Sequence, residues 1–109
     1  HKDSQYGHSP MAVNIFLPMM DVNESNTIWT ESESGKGDYS PIIIKYGEFA
    51  IWDGINNRHG NKPNPSNETR VSVDARVLEC LKYDKEKEKR SINLDLRLGP
   101  GAYFAEDKV

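Results

Sequence analysis

His1 and Asp3 stand two residues apart at the head of the chain. Successive side chains of an extended segment alternate, so an imidazole and a carboxylate at this spacing point to the same side. One short strand then offers two ligands to a single metal ion. A third must come from elsewhere, and His59 lies just ahead of the two-proline loop Asn61-Lys62-Pro63-Asn64-Pro65-Ser66-Asn67. Two histidines and one carboxylate on one face of an ion leave positions open for other ligands, the facial arrangement of non-heme iron(II) oxygenases. The tripeptide H-x-D is common by itself. Its plain alternative is a disordered His1, a turn Asp3 and a solvated His59.

More weight comes from Arg70-Val71-Ser72, which follows the two-proline loop and opens the best alternating stretch of the chain. Arg70 and Ser72 share a face there. A guanidinium on a rigid strand suits a bidentate pair with a carboxylate, and a neighbouring hydroxyl adds a hydrogen bond. The bland reading of Arg70 is a surface arginine paired with Glu68 or Asp74. H-x-D, then a lone histidine, then R-x-S, in that order, carries more than any one of them.

The elements that must position these residues read as strands, because apolar side chains recur with period two far more than with period 3.6. Met11 to Met20 is an apolar run broken only by Asn14 and bent by Pro18. Further strands are expected at Thr27–Glu31, Pro41–Tyr46, Glu48–Trp52, Arg70–Leu81 and Ile92–Leu98. In the Arg70 strand Val71, Val73, Ala75 and Val77 lie on one face, and Arg70, Ser72, Asp74 and Arg76 on the other. That strand is expected to be central, with Val71, Val73 and Val77 packed in a core. Ser34–Asp38 and Asp53-Gly54 are turn signals. Lys82 to Arg90, rich in both signs of charge, reads as a solvated connection. No pattern calls for a helix, so the expected fold is all-β, an antiparallel sandwich or barrel of the jelly-roll type.

The chain has 109 residues, one domain's worth (1–109), with 14 basic and 17 acidic side chains. This balance argues against a nucleic-acid binder acting through bulk positive charge. No apolar run reaches the roughly 18–20 residues of a membrane-spanning helix. The single Cys80 precludes an intrachain disulfide framework and a four-cysteine zinc module. It reads as a small half-buried side chain. The opening His1-Lys2-Asp3-Ser4, without Met or an apolar leader, suggests a fragment or processed product of a soluble, cytoplasmic protein.

With these residues in place the chain resembles the iron(II)/2-oxoglutarate-dependent dioxygenases of the phytanoyl-CoA-dioxygenase-like kind. It is more closely similar to oxygenases encoded in bacterial sugar-biosynthesis clusters. The resemblance is carried by His1-Lys2-Asp3 with Tyr6-Gly7-His8, by Asn14-Ile15-Phe16-Leu17-Pro18, by Ser25-Asn26-Thr27-Ile28-Trp29 and by Gly47-Glu48-Phe49. Arg58-His59-Gly60-Asn61 and the stretch Asn67 to Arg76 complete it. It implies a double-stranded β-helix (cupin-like) fold with His1, Asp3 and His59 as ligands of Fe(II). Arg70 and Ser72 would hold the distal carboxylate of 2-oxoglutarate, and Asn14 would lie near its keto-acid end. The family places a strand and several helices ahead of H-x-D, and here none precede His1, so a partial barrel is expected. A sheet edge left open in that way invites pairing with a second copy, a homodimer. The implied substrate is a small, carbohydrate-related molecule.

Two other classes fit some of these residues. A free amine and imidazole at His1 could chelate copper with His59, although Arg70 and Ser72 would then have no task. A non-enzymatic jelly-roll module, binding a metal or ligand without turning it over, would need no cationic anchor.

Overall fold

The computed structural model describes residues 1–79, 81 and 83–105. Cys80 lies outside them, as does Lys82. Among the described residues the chain is nearly all β, with two small antiparallel sheets and only 3₁₀ turns as helix, at Asp3–Tyr6 and Lys85–Lys87. None of these is long and apolar enough to cross a membrane. The strands are β1 (Ala12–Pro18), β2 (Ile28–Thr30), β3 (Ser40–Pro41), β4 (Ala50–Trp52), β5 (His59–Asn61) and β6 (Ser72–Leu78). One sheet has the order β4-β1-β6, the other β3-β2-β5.

β1 is the spine of the first sheet. Its alternation buries Ala12, Asn14, Phe16 and Pro18 on the inner face and leaves Val13, Ile15 and Leu17 on the outer one. Phe16, fully buried, packs with Val22 and Ile28, so the core sits where the inner face of the first sheet meets β2 of the second. Ile42, Ile44, Ala50 and Trp52 close around it. The isolated bridge between Val22 and Ile44 ties in the segment expected as a longer strand from Pro41 to Tyr46. Only Ser40–Pro41 of that region pairs as a strand.

Register fixes which residues share the inner face. Asn14 lies opposite Trp52 on β4 and Arg76 on β6, and Phe16 opposite Ala50 and Asp74. Directly opposed residues stand on the same face. The inner face of β6 is therefore its charged one, Ser72, Asp74 and Arg76. This reverses the expectation for that strand. β6 is an edge rather than a central strand, and Val71, Val73 and Val77 are 50–58% exposed instead of forming the core. The alternation is as the sequence has it, but polar groups with a task inside outweigh the usual rule for choosing the buried face.

The expected strand over Ile92–Leu98 is not formed either. Asp95 adopts a left-handed conformation, with φ 51°. Its N–H donates to the Ser91 carbonyl at 2.9 Å, and Ser91 N–H donates to Leu96 O at 2.7 Å. The Arg90 guanidinium clamps the Asp95 carboxylate. A turn thus replaces the strand, and Ile92, Leu94 and Leu96 are exposed.

Candidate functional site: a two-histidine, one-carboxylate cluster

His1 and His59 exchange both backbone hydrogen bonds. His1 N donates to His59 O at 3.0 Å, and His59 N to His1 O at 2.9 Å. This is the pattern of directly opposed residues in an antiparallel ladder, so both imidazoles emerge on one side. Their ring centroids are 4.4 Å apart. The pairing also engages the His1 nitrogen that a copper chelate would need. Asp3 follows at the start of the 3₁₀ turn. Its N–H donates to Gly54 O at 3.0 Å, and Ser4 N–H to Ile55 O at 3.1 Å, which pins the carboxylate beneath the two rings. Gly54 itself sits where a Cβ would come within 2.7 Å of the Trp52 ring and 3.1 Å of Asn14 Nδ2.

His1, Asp3 and His59 each bring one ligand atom within 4.8 Å of the others. Nε2 of His1 is 3.6 Å and Nε2 of His59 3.4 Å from Oδ1 of Asp3. Metal bonds of about 2.0–2.2 Å to imidazole nitrogen and carboxylate oxygen put neighbouring donors roughly 3.0–3.5 Å apart. The spacing and the donor set therefore suit one divalent ion. At His59 the ring Nδ1 lies 3.1 Å from the Asn57 carbonyl. A carbonyl only accepts, so Nδ1 donates there, which orients the ring and turns Nε2 toward Asp3. The edge of Trp52 fixes the ring from the side, with centroids 4.8 Å apart.

Asp3 is buried, which by itself would raise its pKa. Hydrogen bonds from His59, Arg76 and Asn14, with the charge of Arg76, overcome that penalty and hold the carboxyl well below the usual carboxylate range. Arg76 Nη2 donates to Oδ2 at 2.5 Å and Asn14 Nδ2 to the same oxygen at 2.9 Å. The Asp3 side chain is an anion at any ordinary pH.

An open cleft of about 250 Å³ runs from this cluster past Trp52 and Asn61 to Arg70, Asp74 and Arg76. Arg70 lies with its guanidinium 5.5 Å above the Phe16 ring. Its Nη1 donates to Asn26 O at 3.0 Å and to Asn61 Oδ1 at 3.2 Å. Neither Glu68 nor Asp74 pairs with it, so its remaining N–H groups have no carboxylate partner among the described residues. Ser72 does not line the cleft, unlike Arg70. Asn14 is present but its amide N–H is spent on Asp3. Two other aromatic residues stand away from the cleft: Trp29 carries the Lys62 ammonium on its face, and Tyr46 is exposed. Arg76 and Asp74 are the cleft residues that motif spacing missed. Their signal was present, since the alternation puts both on the face of Arg70.

No family model matches the chain, and no solved structure does. Over 100 residues, 91% of its length, it is 36% identical to the streptomycin biosynthesis protein StrG of Streptomyces griseus. The aligned part is 47% of StrG, so the chain spans about half the length of this curated relative.

Proposed function

We propose that this chain belongs to an iron(II)- and 2-oxoglutarate-dependent oxygenase of the double-stranded β-helix type, acting on a small, carbohydrate-related substrate in the cytoplasm. The observation that carries the reading is the convergence of His1, Asp3 and His59 at one end of a cleft that also holds Arg70. The jelly-roll architecture and the sugar-related substrate rest on the sequence resemblance. A relative named for streptomycin biosynthesis is in keeping with a biosynthetic small-molecule role.

The iron and 2-oxoglutarate, when bound, supply the activation of dioxygen and the oxidation of a substrate C–H bond. The chain's own residues do the rest. His1, Asp3 and His59 would hold the ion at the end of the cleft. Arg70, steadied through Nη1 by Asn26 and Asn61, would offer its other N–H groups to the distal carboxylate of the cosubstrate. A carboxylate carried into such a cleft needs a cationic partner, because an unpaired buried charge is costly. Trp52 walls the site beside His59.

The test is titration of 2-oxoglutarate into the anaerobic iron(II) form of the chain. Wild type should bind, and Arg70→Ala should weaken binding by about 30-fold or more. Equal binding by Arg70→Ala would count against the oxygenase. Metal uptake with no binding of 2-oxoglutarate would leave a metal-binding jelly-roll module instead.

A further inference from the structure

Trp52, Asn14 and Arg76 form one cross-strand row on the inner face, directly opposed across β4, β1 and β6. The row lies under the metal cluster and touches two of its three ligands. Trp52 abuts the ring of His59. Arg76 and Asn14 both donate to Oδ2 of Asp3, at 2.5 and 2.9 Å, while the two histidines face Oδ1. The two oxygens of Asp3 are thus assigned to different partners. Among the described residues, Trp52 Nε1, Asn14 Oδ1 and Arg76 Nε are also buried without a hydrogen-bond partner in the protein. Buried polar groups are normally satisfied, and a row with three exceptions is not one selected for packing alone.

We propose that Arg76, backed by Asn14, is the positioning residue of the metal centre. By occupying Oδ2 it makes Asp3 ligate through Oδ1 alone. The inference rests on the metal-site reading above. A carboxylate with both oxygens free can clasp an ion through two positions, and the second would come from those needed by cosubstrate and oxygen. Arg76 can hold Asp3 rigidly because its fork is itself anchored, Nη1 donating to Tyr103 Oη at 3.0 Å. A lysine has no second nitrogen to do both.

Cobalt(II) is the probe, titrated into the full 109-residue chain and followed by calorimetry and visible absorption. Wild type should take up one equivalent. Arg76→Ala should weaken binding by about 10–100-fold and change the absorption spectrum, which reports coordination number. Asn14→Leu, close in volume and with no amide to satisfy, should shift both readouts in the same direction and decides the matter if Arg76→Ala fails to fold. Arg76→Lys should recover part of the affinity. Tyr103→Phe, which removes the anchor of the guanidinium but not its bond to Oδ2, should shift both readouts in the same direction and by less than Arg76→Ala. If Arg76→Ala and Asn14→Leu both bind cobalt(II) within about twofold of wild type, with its spectrum, the positioning role is wrong and the three-ligand site survives. If wild type itself binds none, the three-ligand reading fails first.

Discussion

Asp3 sits at the crossing of every interaction that matters to the cluster. One oxygen meets the histidines and the other is held by Arg76 and Asn14. Its depressed pKa has a consequence for stability. A carboxyl ionised more readily in the fold than in the unfolded chain contributes stability above about pH 4, and that contribution is lost as pH falls through the folded value. Asp3→Asn removes the anion without changing shape much. It should abolish stoichiometric iron(II) uptake in anaerobic metal analysis while the far-ultraviolet circular dichroism stays that of wild type; retained iron would remove Asp3 from the ligand set. His1, Asp3, His59 and Arg70 were legible in the sequence because each belongs to a spacing with a chemical reason. The alternation put Arg76 on the face of Arg70, but its task was not legible, since a charged residue in an alternating strand reads the same whether it faces water or a buried carboxylate.

The strands divide in the same way. β1, β2 and β6 were legible from their apolar and β-branched runs, and β5 was not, because His59-Gly60-Asn61 pairs through backbone and carries little apolar signal. The face of β6 was misread for the reason given above. Phe16 should therefore be the costly position: Phe16→Ala in fully buried surroundings should destabilise by about 3–5 kcal/mol in denaturant unfolding. Val73→Thr, on the open face, should cost about 0.5 kcal/mol or less. A larger loss at Val73 than at Phe16 would restore the core on the valine side. Gly54→Ala should displace Trp52 against His59, and a shifted indole fluorescence with weaker metal uptake would show it.

The segment after β6 is held by charge more than by apolar burial. Glu88 pairs with Arg97 and accepts from the Tyr83 hydroxyl. The hydrogen bond from Arg97, then that from Tyr83, lower its carboxyl to about 2. Desolvation, then the bond to Glu88, raises the Tyr83 phenol to about 12. The carboxylate's contribution is present above its unfolded value of about 4.3 and fades as pH falls toward 2. The phenol's is present below about 10 and fades as pH rises toward 12. Ultraviolet titration should find one tyrosine ionising late, and Tyr83→Phe should abolish that late step; its persistence would assign the late step to another tyrosine.

At the scale of the whole molecule, two sheets leave one apolar face covered and the other open. Ile51, Val13, Val73 and Val77 stand together on the outer side of β4-β1-β6, each at least 38% exposed. The inner side is given to the core at one end and to the cleft at the other. All-β character was legible from the period-two pattern; the order of strands was not, because pairing joins β1 to β6 across most of the chain. This arrangement lets residues from its beginning, middle and later part meet at one point. The measurement that bears most directly on that meeting is X-ray absorption of the anaerobic iron(II) form, compared with its Asp3→Asn and His59→Ala variants. The account predicts one iron per chain with two imidazole ligands and a single carboxylate oxygen at about 2.0–2.2 Å, and no bound iron when either residue is replaced. Iron retained in both variants, or a first shell without imidazole, would contradict it.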